Sequence, residues 1–330
     1  MPDHTVLAGD IGGSKTTLAL FGRTGELLLE KTYKNSMFSS IQEVISTFLE
    51  HQNTTVVRAC FGVAGPVHDN QVRMTNLDWT IDGREIADRF AIDRLLLIND
   101  LVATAAGAVL LPDGDLVTLN GGRPAAGGTI GVLAPGTGLG QSFAVSVDNR
   151  LRPLPSEGGH SSFAPRNREQ IELLKFMLKK SPHVSVEQVC SGQAIPDLYR
   201  FMSSCRPEPE WMNTLLGQTA DPTPVIIRAA NESLTGGKVC EPAVRCLQLF
   251  VDILAAEAAN LALKVLASGG IYLGGGLPPR MLPFFEREWF MRIFCRGVYR
   301  EMLAAIPVHI IRNPKAALIG AHELAVAALK

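Results

Sequence analysis

Acidic residues set against glycine-rich or apolar runs are the first candidates for chemistry in this sequence. Asp10 lies in "VLAGDIGGSKTT" (6–17), which nearly spells the phosphate-loop pattern G-x-x-x-x-G-K-[ST] from Gly9 to Thr16, with Ser14 in place of a glycine. That pattern needs a helix directly after the turn, so that its N-terminal N–H groups face the phosphates. Here Leu18 and Leu20, then Leu27 and Leu29, alternate with other residues on the two sides of "GRTG". This predicts a β-hairpin followed by a third strand. Gly12, Gly13 and Ser14 then form a hairpin tip, where missing Cβ atoms let backbone N–H groups approach an anion closely. Lys15 is expected to be a surface residue on an edge strand.

Asp100 closes the apolar run "DRLLLIND" (93–100) and precedes the alanine-rich "LVATAAGAVLL" (101–111), a strand followed by a helix. On local grounds alone an aspartate there is a favoured helix N-cap. Its neighbour Asn99 can both donate and accept hydrogen bonds, matching a hydroxyl. "SEGGH" places Glu157 and His160 in one glycine-rich loop, and Glu187 lies in "SVEQVCSG". The other six histidines have no comparable setting.

A second glycine turn, Gly136–Gly140, sits in "GGTIGVLAPGTGLGQSFAVSV" (127–147), which repeats the opening of the chain as strand, turn and strand. One glycine cluster alone would favour a tight turn and nothing more. Two at equivalent places in a repeat favour phosphate binding. A third turn, Gly274–Gly276, follows the strand in "GGIYLGGGLPPRM".

Elements that must position these groups alternate through the first third of the chain. "SSIQEVISTFLEH" (39–51) carries Ile41, Val44, Ile45 and Phe48 at helical spacing, "TTVVRACFGVAG" (54–65) is a buried strand, and "IDGREIADRF" (81–90) is a short helix. Residues 167–233 are mostly helical. From 241 a long amphipathic helix puts Leu247, Phe250, Leu254, Ala258, Leu261 and Val265 on one face, and 313–330 form a final helix entered through proline.

With 330 residues, the chain has room for two domains. Hydrophobic residues make up 46% and charged residues 19%, which excludes a disordered chain. Thirty-one Lys and Arg against 32 Asp and Glu give no nucleic-acid or anionic-membrane surface. The N-terminal residues carry no basic segment followed by an apolar run, so no secretory signal is expected. Six cysteines without C-x-x-C spacing are read as free thiols in a reducing cytoplasm.

Taken in order, "GDIGGSKT" (9–16), "LINDLVATA" (97–105), "APGTGLG" (134–140), "SEGGHSSFAP" (156–165) and "YLGGG" (272–276) resemble bacterial glucokinases of group A, within the sugar-kinase, heat-shock ATPase and actin superfamily. The resemblance implies an α/β fold of two ribonuclease-H-like domains, the actin-like ATPase or hexokinase fold, flanking a central cleft. The small domain would be 1–112 plus 313–330 and the large one 113–312. It implies ATP-dependent phosphorylation of glucose at its 6-hydroxyl, with ATP and Mg²⁺ required and glucose and ATP as partners. Asp100 would be the catalytic base, and Asn99, Glu157, His160 and Glu187 would hold the sugar. Gly9, Asp10, Ile11, Gly12, Gly13, Ser14, Gly136, Thr137, Gly138, Gly274 and Gly275 would hold ATP, and Asp10 would reach magnesium through water. A cytoplasmic homodimer without nucleic-acid or membrane partners is implied as well. A kinase for another hexose and a non-catalytic sugar sensor stay open as alternatives.

Overall fold

A computed structural model describes residues 4–22, 24–74, 77–148 and 150–327. Two compact units emerge: Met1–Asp115 with Val147–Pro155 and Asn313–Lys330, and Leu116–Ser146 with Ser156–Arg312.

In the first unit β1 (His4–Ile11), β2 (Lys15–Phe21) and β3 (Leu27–Lys34) form an antiparallel meander. It is followed by α1 (Ile41–Leu49), β4 (Thr55–Val63), the short pair β5 (Gln71–Arg73) and β6 (Thr80–Asp82), α2 (Gly83–Arg89), β7 (Arg94–Asn99) and α3 (Asp100–Ala108). Strand order is β3-β2-β1-β4-β7, with β1, β4 and β7 mutually parallel. Alternation along β1 sorts its side chains between two layers. Leu7 and Ile11 bury against Ile41, Val44, Ile45 and Phe48 of α1, whereas Val6 and Ala8 belong to the opposite face with Ala103 of α3. Lys15 is exposed as expected, but β2 is not an edge strand: it pairs with β1 on one side and β3 on the other.

The second unit begins with β8 (Leu116–Thr118), β9 (Ile130–Pro135) and β10 (Leu139–Val147); β11 (Arg150–Ser156), most of it counted with the first unit, comes next in the chain. Helices α4 (Arg168–Leu178), α5 (Ile195–Ser203), α6 (Glu210–Leu216) and α7 (Thr223–Leu234) make up the predicted helical stretch. Then come α8 (Glu241–Val265), β12 (Gly270–Leu273), α9 (Arg287–Phe294), α10 (Arg300–Ala305) and β13 (Val308–Ile311). The sheet order is β11-β10-β9-β12-β13-β8. Its first five positions repeat the first sheet: an antiparallel meander read outward-in, then two parallel strands. The glycine turn of this repeat is shorter than the sequence predicts, because β10 starts at Leu139 and takes Gly140 into the ladder opposite Ala134.

Helix α8 is apolar and long enough to cross a membrane, but most of it is buried inside the second unit. Leu247, Phe250, Leu254, Ala258 and Leu261 are buried as read from the sequence. So are Ala255, Ala256, Ala259 and Ala262, so the burial extends well beyond one face. A helix apolar nearly all round is a core helix.

The last helix, α11 (Ala316–Ala327), belongs to the first unit; residues 328–330 of the predicted span lie outside the described residues. Asn313 fixes its approach, donating to Asp115 at 2.7 Å and accepting from the Lys315 amide at 2.9 Å. Packing of α11 on α3 is close enough to require glycine on both sides. A Cβ on Gly107 would overlap the Ala316 carbonyl oxygen, and one on Gly320 would overlap that of Ala103.

Candidate functional site

Predicted site residues fall into two groups, one in each unit. In the first, β1, β4 and β7 run parallel and end together, with Asp10, Gly62 and Ile98 as register neighbours. Ligands of such sheets bind beyond the carboxyl ends of the strands. Asp10 follows Val6 and Ala8 on the face covered by α3. Gly62, beside it in β4, has no side chain to fill that face; a Cβ there would lie 3.0 Å from that of Ala103 and 3.4 Å from the Asp100 Cα. Asp10 and the start of α3 therefore share one corner of the sheet. Burial pushes the Asp10 carboxyl above the ordinary carboxylate range, and the Lys15 ammonium pulls it partly back. No hydrogen bond to the Asp10 carboxylate is formed among the described residues.

Capping of α3 falls to Asn99, whose Oδ1 accepts from the Leu101 amide at 2.9 Å while its Nδ2 donates to the Gly65 carbonyl at 3.2 Å. Asp100 is thus not the N-cap. It is the first residue of the helix, half-buried, with Oδ1 also 2.9 Å from the Leu101 amide. Its carboxylate lies at the positive end of the helix dipole.

The hairpin tip at 12–14 is closed by Gly12 N donating to the Lys15 carbonyl at 3.0 Å. Among the described residues, the amides of Gly13 and Ser14 have no acceptor. Gly9 is buried within β1, where a Cβ would come within 2.6 Å of the Phe61 ring, and Ile11 is fully buried in the core.

In the second unit the equivalent turn closes with Gly136 N donating to the Gly138 carbonyl at 2.9 Å. Here too two consecutive amides, those of Thr137 and Gly138, meet no acceptor among the described residues. Gly192 and Gln193 donate to the carbonyls of Gly136 and Thr137 at 2.8 and 3.2 Å, anchoring the turn from the outside. Gly274 and Gly275 lie alongside: Gly274 N donates to the Leu133 carbonyl at 2.8 Å, and Gly275 has φ of +79°. A Cβ on Gly275 would approach the Pro135 carbonyl oxygen to 2.5 Å, so glycine is required twice over.

Glu157, His160 and Glu187 meet through a short ladder. Phe163 N donates to the Val184 carbonyl and Val186 N to the Ser161 carbonyl, each at 2.9 Å, which draws the loop of His160 against the segment leading to Glu187. As a result His160 Nδ1 lies 3.8 Å from Glu187 Oε1 and His160 Nε2 lies 4.0 Å from Glu157 Oε2. Glu187 Oε2 also accepts from the Leu139 amide at 2.8 Å. The side chains of Glu157 and His160 are 74% and 63% exposed and that of Glu187 27%, so all three can meet a small polar ligand. Glu187 sits in a short 3-10 turn rather than on an exposed helix. Gln188 bonds reciprocally with Ser185 and holds that turn.

Sequence reasoning missed two supports. Buried Asn35 bonds to the first turn, and buried Glu257 of α8 accepts from Gln141 at 2.9 Å beneath the "SEGGH" loop. Neither position carries a local signal, since each works across more than twenty residues. A Cβ on Gly158 would overlap the Gln141 side chain, and one on Gly159 the Leu139 carbonyl, so both glycines seat that loop on β10.

Comparison with known proteins gives one consistent likeness. The family model described as Glucokinase matches residues 7–328. A glucokinase of Nostoc sp. (strain PCC 7120) is 40% identical, covering 96% of this chain and 97% of its own. Among solved structures, a glucokinase from an Antarctic psychrotroph aligns with TM-score 0.83 at 31% identity over 98% of this chain and 99% of its own. A ROK family glucokinase from Streptomyces griseus, solved with glucose and AMPPNP, shares the fold at TM-score 0.69 and 21% identity, covering 98% of this chain and 99% of its own.

Proposed function

Because this chain belongs to the glucokinase family, we propose that it transfers the γ-phosphoryl group of ATP to the 6-hydroxyl of glucose, giving glucose 6-phosphate and ADP. The observation that carries the mechanism is the pair of consecutive amides on each glycine turn that meet no acceptor among the described residues. Paired amide donors of this kind suit phosphate oxygens, which accept only. In this reading the amides of Gly13 and Ser14 in the first unit and of Thr137 and Gly138 in the second bind phosphate. The buried Gly9 and Ile11 support the first turn from within β1, and Gly274 and Gly275 let the nucleoside lie against the backbone.

Asp100 accepts the proton of the 6-hydroxyl as that oxygen attacks the γ-phosphorus; the bond to the β-phosphate oxygen breaks and its electron pair leaves with ADP. The carboxylate need not be a strong base, because alignment matters more than basicity in a loose transition state. Asn99, Glu157, His160 and Glu187 orient the sugar by hydrogen bonds to its hydroxyls. Asn99 still has one N–H and one lone pair for this after its two internal bonds.

Asp10 suits a hydrated magnesium ion: its carboxylate is buried enough to be perturbed and has no protein donor among the described residues. No cluster of three or more acidic, histidine or cysteine ligands occurs among them, which fits an ion that keeps several waters and takes substrate phosphates as ligands. Held through water by Asp10, magnesium would supply positive charge that offsets the charge of the phosphates. The reading extends to a cytoplasmic homodimer, on the family resemblance and, for the compartment, on six free thiols.

A coupled assay of ADP formation with and without glucose tests the proposal. ADP release that depends on glucose supports it. Release indifferent to sugar, or none at all, overturns it.

A further inference from the structure

One buried side chain braces the first turn from outside its own hairpin. Asn35, 1% exposed, lies just beyond β3. Its Nδ2 donates to the Gly12 carbonyl at 2.8 Å, its backbone N donates to the Ser14 carbonyl at 3.0 Å, and its Oδ1 accepts from Thr16 Oγ1 at 2.8 Å. Amide orientation is not arbitrary here. A carbonyl can only accept, so the nitrogen must face Gly12 and the oxygen must face the Thr16 hydroxyl, which is itself fully buried.

Peptide geometry carries the consequence outward. In a planar trans peptide the C=O of one residue and the N–H of the next point in opposite directions. Holding the Gly12 oxygen against Asn35 therefore turns the Gly13 N–H away from it. The Gly12–Gly13 peptide, with glycine on both sides, is also the one in the turn most able to flip. A flip would present a carbonyl oxygen where an anion needs a donor.

We infer that Asn35 is the positioning residue of the first phosphate turn, locking the Gly12–Gly13 peptide with its N–H toward the nucleotide. The inference rests on the phosphate reading of that turn. It gives Asn35 no contact with substrate and no part in sugar binding.

Steady-state kinetics with both substrates varied, together with calorimetric titration of ADP, test it. Asn35→Ala should raise KM for ATP and Kd for ADP roughly tenfold or more while KM for glucose stays within about twofold. Asn35→Asp keeps an acceptor for Thr16 but offers Gly12 no donor, so it should not restore ATP affinity. Thr16→Val, a milder change should the Asn35 variants fold poorly, should raise KM for ATP in the same sense by a smaller factor. Equal rises for both substrates, or an unchanged KM for ATP in all three variants, overturn the inference. Gly13→Pro separates the two levels, with retained glucose binding as its folding check, because it deletes the amide itself. Should Gly13→Pro weaken ATP while the Asn35 variants do not, the role of Asn35 falls alone. Should Gly13→Pro leave ATP untouched, the phosphate reading falls with it.

Discussion

Glu187 accepts the Leu139 amide hydrogen at 2.8 Å, and this one bond ties the sugar-binding candidates to the second glycine turn. Leu139 is the first residue of β10 after Gly136–Gly138, and the other oxygen of Glu187 faces His160 at 3.8 Å. The carboxylate is close enough to the turn that a Cβ on Gly138 would overlap it. In the proposed reading, a group that holds sugar on one side and shapes a phosphate turn on the other would make the two substrates depend on each other within a single unit.

Two substitutions at Glu187 separate these roles. Glu187→Ala leaves the Leu139 amide without an acceptor, a loss on the order of 1–3 kcal/mol, so KM should rise for both glucose and ATP. Glu187→Gln keeps a carbonyl acceptor for Leu139 but loses the charge facing His160. Its KM for ATP should stay within about twofold of the parent while KM for glucose remains raised. Matching ATP constants in the two variants would remove the link.

Asn99 caps α3, and an asparagine at position 100 would still offer the Leu101 amide an acceptor. Asp100→Asn should therefore fold normally and bind glucose with nearly the parent affinity, as read by intrinsic tryptophan fluorescence. Loss of the base should lower kcat by about 10²–10⁴-fold. A variant that turns over at the parent rate removes the assignment.

Legibility followed range. Elements whose residues speak to near neighbours were visible: β2 and β3 from alternation on the two sides of "GRTG", α1 from its apolar spacing, and β7 and α3 from the apolar-to-alanine switch at Asp100. The repeat of the opening by 127–147 was visible as well, and the matching strand orders explain it. What stayed hidden depends on distant partners. β2 reads as an edge strand until β3 folds beside it, and Asp100 reads as a cap until the Asn99 side chain is seen bonding Leu101. Asn35 and Glu257 look like any polar residue in a loop or a helix. Their burial and their bonds to backbone or amide groups far along the chain leave no period in the sequence.

Asp10 should make the metal-free protein's stability depend on pH in an unusual sense. Burial raises its pKa, so from about pH 4 upward the folded chain retains a proton that the unfolded chain has released. Stability then falls as pH rises through that window, and above it the buried charge remains a destabilising feature that Lys15 only partly offsets. Asp10→Asn should raise the thermal midpoint at pH 8 in the presence of chelator, with the gain shrinking toward pH 4, while activity drops. Such an exchange of stability for function is common where a charge must be held ready for a ligand. A variant less stable than the parent at pH 8 would show that burial is not what perturbs the carboxyl.

The contact of α3 with α11 is the last place where a single atom should matter. Gly107 and Gly320 let the two helices meet backbone to backbone, and an added methyl on either would strike a carbonyl oxygen of the other helix. Carbonyls held in a helix cannot rotate out of the way, so the helices must separate. Overpacking of this kind costs about 1–3 kcal/mol, and the rigid partner puts Gly107→Ala and Gly320→Ala at the upper end. Urea unfolding would measure that loss. Because α3 starts with Asp100, separating the helices also shifts the proposed base, and a displacement of about 1 Å can lower turnover by about a hundredfold. Gly107→Ala should therefore lower kcat as well as stability, although Gly107 lies two turns from the carboxylate. Stability lost with kcat unchanged would mean that the far end of α3 moves without carrying its first turn.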